Sequence, residues 1–249
     1  MAKLPTIVAA FHRLRSGDEV ILPRDDLDHA ANFYWMLFER EPSPAIRKVL
    51  DACLILHAEH TMNASTFTAR IIASTLADMF SAVTGAIAAL KGPLHGGANE
   101  EAMKMLEEVG SPEKAAAYVA ARLDRHEKIM GFGHAVYRTM DPRATVLKRL
   151  SREVGERAGD TRWYEISEAI EKTTFEQKGL FPNVDFYAAG VYHVLGIPTD
   201  LMTPIFALAR MAGWTAHARE QYADNKVIRP GSEYVGPRDQ HWVPLDERA

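Results

Sequence analysis

Between Ala64 and Leu90 only Arg70 and Asp78 carry charge. A helix that is apolar nearly all round has to be buried on several sides, in a core or in a subunit interface. Ser65, Thr66, Ser74, Thr75 and Gly85 interrupt the stretch too often for a membrane span, which needs about 20 apolar residues in a row. Its small residues suit close helix packing, and an interface is the favoured reading.

The rest of the chain is also written in the helical period. Leu4 to Arg15 alternates apolar and polar faces and is stopped by Gly17. Asp26 to Arg40 is bounded by Pro23 and Pro42. Ser43-Pro44 sets an N-cap before a proline at the first helical position, and predicts a helix to about His57. Ala98 to Val109 ends at Gly110. Ser111-Pro112 starts a helix to about Lys128, and Asp141-Pro142 caps one to about Ala158. Further helices are expected from Asp160 to near Gly179, from Asn183 to Leu195 and from Thr199 to Tyr222. The tail from Lys226 is extended. No run of alternating β-branched residues bounded by turns stands out, so the fold class is all-α.

Composition narrows the function classes. The 249 residues are 47% hydrophobic and 25% charged, as in an ordinary globular protein. A net charge of −4 and a pI near 6.2 speak against a general nucleic-acid or acidic-membrane binder. Local cation clusters remain free to bind phosphates. The single cysteine, Cys53, reads as a buried structural thiol and excludes a multi-cysteine metal site. The opening MAKLPTIVAAFHRLRSG reaches charge too soon for a secretory signal. The expectation is a cytoplasmic protein that neither spans a membrane nor binds nucleic acid.

Three segments place chemical side chains beside helix breakers. In Gly92-Pro-Leu-His95-Gly-Gly, His95 precedes a helix whose free N–H groups disfavour imidazolium. A histidine kept neutral there can still donate an N–H to a developing oxyanion, although a plain helix-entry residue reads equally well. In Gly131-Phe132-Gly133-His134-Ala-Val-Tyr-Arg138-Thr-Met-Asp-Pro-Arg143, two glycines allow close backbone approach to a ligand. One titratable group and two permanent cations follow. The alternative is a solvated basic loop. In Lys178-Gly-Leu-Phe-Pro-Asn-Val-Asp185, the aspartate is either an ordinary first-turn acid or a general base. The apolar neighbours Val184 and Phe186 would raise its pKa.

Weaker signals surround these. His57 and His60 share a helix face at a spacing that also suits a metal, but no third ligand is obvious and no metal is expected. Arg210 sits in an otherwise apolar helix, where an unpaired guanidinium is costly, so it snorkels or meets an anion. Arg229 in the tail offers a similar cation.

GPLHGGANEEAMKML, IMGFGHAVYRTMDPRA, LFPNVDFYAAGVYHVLGIP and DLMTPIFALARMAGWTAHAREQYADNKVIRPGSEYVG together resemble the signatures of the citrate synthase family, in that family's order. The resemblance covers essentially the whole chain. It implies a two-domain helical fold with large-domain helices over 1–96, a small domain over 97–196, and a large-domain return helix and tail over 197–249. It implies a Claisen-type condensation of acetyl-CoA with oxaloacetate, with no cofactor beyond these substrates. Carried over residue by residue, it makes Asp185 the base and His95 the donor to the thioester oxygen. His134 polarises the ketone. His60, Arg143 and Arg210 bind the acceptor's carboxylates, and Arg229 reaches the other subunit's site in a homodimer. Ile129, Met130, Gly131, Phe132 and Gly133 form the wall for the CoA adenine, and Arg138 and Lys178 bind CoA phosphates.

These residue types fit that chemistry. A thioester acidifies its α-carbon only modestly, so base and oxyanion donor must act together. A dicarboxylate acceptor calls for arginines, which stay charged and bind carboxylates bidentately. Two other readings stand beside this one. Propionyl-CoA as the donor would make 2-methylcitrate, because one methylene is worth only about 1–3 kcal/mol in an apolar pocket. A non-catalytic subunit is the other, since family members carry further large-domain helices ahead of the point where this sequence starts. A fragment, half of a split enzyme and a minimised member all fit that start. Each predicts exposed apolar surface, and a partner chain could supply the missing helices.

Overall fold

The computed structural model describes residues 1–134 and 136–248; Ala135 and Ala249 lie outside the described residues. The helices are α1 (Lys3–Arg15), α2 (His29–Phe38), α3 (Pro44–Ala58), α4 (Ala64–Ser74), α5 (Met79–Leu90) and α6 (Ala98–Val109). They continue with α7 (Ala115–Asp124), α8 (Pro142–Ala158), α9 (Arg162–Lys178), α10 (Val184–Val194) and α11 (Met202–Ala223). Among the described residues there is no strand, only an isolated antiparallel bridge between Phe132 and Pro182. The architecture is all-α.

Side-chain caps start most of these helices. Asp28, Ser43, Asn63, Asp78, Asp141 and Asn183 each accept a backbone N–H of the first turn. Gly110, Gly159 and Gly179 end α6, α8 and α9 in the left-handed conformation that suits glycine. These caps account for the agreement with the expected boundaries, and they also explain the departures. The first turn of α2 belongs to Asp28, so the helix starts later than Asp26. The segment after Ser111 opens as a 3-10 turn, Pro112–Lys114, and the helix ends at Asp124, before His126 turns to φ +57°. Thr199–Leu201 is likewise a 3-10 turn ahead of α11.

The largest correction concerns the segment from Ala64 to Leu90. It is two helices, not one: Leu76 takes φ +63°, and the Asp78 carboxylate starts α5 by accepting the Phe80 and Ser81 N–H groups at 2.8 and 3.0 Å. The two helices pack on each other through small residues, and Gly85 lies against the Ile72 side chain. Nor are they buried all round. Phe80 is 70% and Phe67 45% exposed in the single chain, so one face carries apolar side chains into solvent.

Two groups of helices meet at the centre. Helices α6 to α10 pack mainly on one another, and α1 to α5 pack with α11. The seam is made by α3 against α8 and α10, and by α6 against α11. In α10 every residue from Val184 to Tyr192 is buried, and in α11 every residue from Ile205 to Met211. Both helices therefore bring any polar side chain they carry into the interior, which is where Asp185 and Arg210 lie.

Replacing Asp78 by alanine removes both capping bonds of α5 and is expected to cost about 1 kcal/mol of unfolding free energy. The expected readout is a lower urea midpoint with unchanged helix content in buffer. An unchanged midpoint would show that the cap is not what starts α5.

Candidate active site

A cavity of about 400 Å³ opens at the seam and is lined by His60, His95, His134, Arg143, Asp185 and Arg210. These come from five places in the sequence: the turn after α3, the loop before α6, the loop before α8 with that helix's first turn, the start of α10, and the middle of α11. Gly133, Asn183 and Phe206 complete much of the wall.

Asp185 is the most perturbed acid of the cavity. It lies in the first turn of α10, 8% exposed, with Oδ1 buried and unpartnered. Burial pushes its pKa up to about 7, and the opposing pull of Arg143, Arg210 and Asn99 does not restore the ordinary value. A carboxylate so placed is poised to take up a proton near neutral pH.

Two imidazoles face the same space with their tautomers fixed by neighbours. His134 Nδ1 accepts the Val136 and Tyr137 N–H groups, both at 3.0 Å, so its proton sits on Nε2. That nitrogen is 4.0 Å from Asp141. His95 Nε2 lies 2.8 Å from Ser65 Oγ and receives the Ser65 N–H at 3.4 Å. This N–H is free because the cap residue of α4, Asn63, takes the Thr66 N–H instead. The Ser65 hydroxyl already accepts Trp214 Nε1–H at 3.0 Å. Its proton has Asn63 Oδ1 as an acceptor at 2.8 Å, and the Ser65 backbone N–H, which can only donate, points at Nε2, so the imidazole proton belongs on Nδ1. Burial, helped by Arg210, pushes the His95 pKa down to about 4, so the ring is neutral. The helix N-terminus that meets His95 is thus that of α4, not of α6 as its place in the sequence suggests.

The arginines are held by one edge and open at the other. Arg210 is 1% exposed, stacks 4.8 Å over the Phe206 ring and donates Nε–H to the His57 carbonyl at 2.6 Å, while Nη1 is buried with no partner. Burial first and Arg143 second pull its pKa down to about 10, so it keeps its charge at neutral pH. Arg143 donates Nε–H and Nη2–H to Asp141 at 3.1 and 2.7 Å. An unpaired, buried guanidinium edge is a costly arrangement that a bound anion would relieve. His60 completes the polar wall, with Nε2 3.3 Å from the Tyr137 hydroxyl and its ring 4.9 Å from that of His134. Burial, then Arg143 and His134, lower its pKa.

Other expected site residues fall elsewhere. The Gly131 carbonyl accepts the Asn183 N–H at 2.8 Å, and the residue lies against α10, where a Cβ would stand 2.8 Å from Phe186 Cβ. Its φ of +78° and that contact make it a packing glycine. Gly133, at φ +80° with open space around it, does line the cavity. Ile129 is buried in the core, whereas Met130 and Phe132 are half-buried, with Phe132 packed edge-on to Phe186 at 4.6 Å. Arg138, Lys178 and Arg229 are exposed, and none lines the cavity. His57 is wholly buried and donates Nδ1–H to the Cys53 carbonyl at 2.7 Å, so it does not pair with His60. Cys53 is a fully buried free thiol whose pKa burial pushes up to about 12.

Asp141 was legible only as a cap, yet it orients Arg143 and lies beside His134. Ser65 gave no sequence signal beyond being small, yet it sets the tautomer of His95.

Comparison with known proteins gives consistent likenesses. The family described as citrate synthase, C-terminal domain, matches residues 1–231. Citrate synthase 2 of Bacillus subtilis is 54% identical over 248 residues, covering 100% of this chain and 67% of the relative. The 2-methylcitrate synthase of Shewanella oneidensis is 47% identical, covering 100% of this chain and 66% of its own. The crystal structure of the citrate synthase from Thermotoga maritima superposes with a TM-score of 0.91 at 46% identity, covering 99% of this chain and 68% of that one. This chain thus spans about two thirds of the length of these proteins.

The raised pKa of Asp185 has a stability consequence. Folding disfavours its charged form, so its penalty is absent below the unfolded carboxylate range and complete above about pH 7. Asp185→Asn removes the ionisation and is expected to stabilise the fold by about 2–4 kcal/mol at pH 8 and by little at pH 4. Thermal unfolding at both pH values measures this. An equal effect at both would contradict the assigned desolvation.

Proposed function

The chain belongs to the citrate synthase family, and from that premise we propose that its cavity joins the methyl carbon of acetyl-CoA to the ketone carbon of oxaloacetate. One observation carries the reading. A buried acid with a pKa near 7 shares a cavity with two neutral imidazole donors and a buried, unpaired guanidinium edge.

In this mechanism Asp185 removes a methyl proton while His95 Nδ1–H donates to the thioester oxygen, where negative charge develops. The new enolate carbon attacks the ketone carbon of oxaloacetate, and the ketone oxygen, held by a hydrogen bond from His134 Nε2–H, takes up a proton to become the hydroxyl. Arg210 and Arg143 hold the two carboxylates, with His60 as a further polar contact. Water then cleaves the citryl thioester, so acetyl-CoA, oxaloacetate and water become citrate and free CoA thiol. A neutral His95 suits the first step, because it can stabilise the developing enolate oxygen by a hydrogen bond while keeping its own proton, with no imidazolium to be buried in the site. CoA would approach past Gly133, with Arg138 and Lys178 near its phosphates and the loop over Ile129, Met130, Gly131 and Phe132 behind it.

Both helix groups contribute to the cavity wall: His60 and Arg210 come from one, and His134, Arg143 and Asp185 from the other. A small domain over 97–196 moving against the remainder would open and close the cavity. A second copy docked on the exposed apolar side of α4 and α5 would cover Phe67 and Phe80, and would let Arg229 of one chain approach the site of the other. Propionyl-CoA as donor, yielding 2-methylcitrate, is the second reading, favoured by the likeness to a 2-methylcitrate synthase.

Thiol release from acetyl-CoA with and without oxaloacetate tests the assignment. Turnover that depends on oxaloacetate and falls below about pH 7 with a single ionisation is expected, since Asp185 acts as the unprotonated base. Asp185→Asn should lower kcat by at least about 1,000-fold while oxaloacetate still binds. Thiol release independent of oxaloacetate, or retained turnover in Asp185→Asn, contradicts the reading. The ratio of kcat/KM for acetyl-CoA and propionyl-CoA separates the two donors.

A further inference from the structure

Thr61, which lines the cavity beside His60, has φ +50°. A β-branched residue rarely adopts that left-handed conformation, and it persists only where the surroundings enforce it. What enforces it is visible. Glu59 leaves the end of α3 in extended conformation and folds its carboxylate back over the turn, accepting the Thr61 N–H on Oε2 at 2.8 Å. Its other oxygen accepts Nε2–H of His217 on α11 at 2.9 Å.

The His217 tautomer follows from its other neighbour. Arg70 Nη1 on α4 is 3.2 Å from His217 Nδ1, and a guanidinium can only donate, so the imidazole proton must be on Nε2, directed at Glu59. The same arginine reaches Glu220 at 3.2 Å. Helix α11 lies hard against this corner, because a Cβ on Gly213 would stand 2.6 Å from the Ala58 carbonyl oxygen and 3.2 Å from Glu59 Cγ. The Glu59 carboxylate thus joins the end of α3 to α11 through His217, with Arg70 of α4 behind that ring, and holds one strained backbone amide. None of these side chains lines the cavity.

We infer that Glu59, backed by His217 and Arg70, is a positioning residue: it locks the left-handed turn at Thr61 and so fixes His60 for the oxaloacetate carboxylates. The inference rests on the proposed function for its ligand, and on the geometry alone for the lock. Ser65, which orients His95, is anchored in the first turn of α4 and by Trp214 of α11 at 3.0 Å, and it meets the turn only through Asn63, whose Nδ2 reaches the His60 and Thr61 carbonyls at 3.4 and 3.3 Å. Loosening the turn therefore acts first on capture of oxaloacetate, while α4 and Trp214 keep Ser65 on His95. Glu59 touches no reacting atom, so the signature is a rise in KM for oxaloacetate with little change in kcat.

The experiment uses Glu59→Ala, Glu59→Gln and the double variant Glu59→Ala/Thr61→Gly. Hydrogen exchange at the Thr61 amide needs no substrate and is expected to speed up at least about tenfold in Glu59→Ala. In the thiol-release assay, Glu59→Ala should raise KM for oxaloacetate about tenfold, with kcat within about twofold and KM for acetyl-CoA unchanged. Glu59→Gln keeps an oxygen acceptor and should recover most of that loss. Glycine adopts positive φ without steric cost, so Thr61→Gly should restore the KM even without the carboxylate. An unchanged KM in Glu59→Ala overturns the inference, and so does a joint loss of kcat and KM that glycine does not rescue. If the unaltered chain releases no oxaloacetate-dependent thiol, the functional reading fails. Exchange then decides the lock by itself, and a Thr61 amide no faster in Glu59→Ala refutes it.

Discussion

The cavity depends on the desolvation of one carboxylate. Asp185 is withdrawn from water at the start of a helix buried on every side, and the two arginines nearby do not fully compensate. Direct pairing with Arg143 or Arg210 would lower its pKa and disable it as a base at neutral pH. The structure avoids this by occupying the arginines elsewhere. Asp141 takes Nε–H and Nη2–H of Arg143, and the His57 carbonyl takes Nε–H of Arg210. The cations face the cavity with their remaining edges, suited to a dianionic ligand, while the acid keeps its high proton affinity.

The remaining polar groups are set by helix ends rather than by helix faces. The first turn of α4 presents Ser65 to His95, and the first turn of α8 presents Asp141 to Arg143. The backbone after His134 folds back so that two N–H groups fix its tautomer. Helix termini carry unpaired donors and acceptors, and at the seam these serve the site instead of water. The arrangement is polar and its donors are oriented by their own hydrogen bonds, as electrostatic preorganisation requires.

Much of this was legible in the sequence because it depends on local chemistry. Ser43-Pro44, Asp141-Pro142 and the terminal glycines mark helix ends with little help from tertiary structure. His95, His134 and Asp185 were found because each sits by a breaker, and Arg210 because a cation in an apolar helix calls for an explanation. What the sequence hid was set by distant partners. The break at Leu76 and Asp78 is masked by an apolar run on both sides. The reason for Gly131 is a side chain on α10, and the groups that fix His95 lie on α4 and α11. Glu59 and His217 are far apart in sequence, and alone each reads as a surface residue. The exposed positions of Arg138 and Arg229 follow from loop paths that no spacing rule describes, and Lys178 is the last residue of α9.

The central claim is that burial, not a neighbouring charge, makes Asp185 a base near neutral pH. The most direct measurement is a carbon-13 NMR titration of the aspartate side-chain carboxyls, with the Asp185 signal assigned by its loss in a substituted chain. The account predicts a midpoint near pH 7 in the free protein. A midpoint in the ordinary aspartate range, near about 4, would mean that the carboxylate is effectively solvated or paired, and would contradict it.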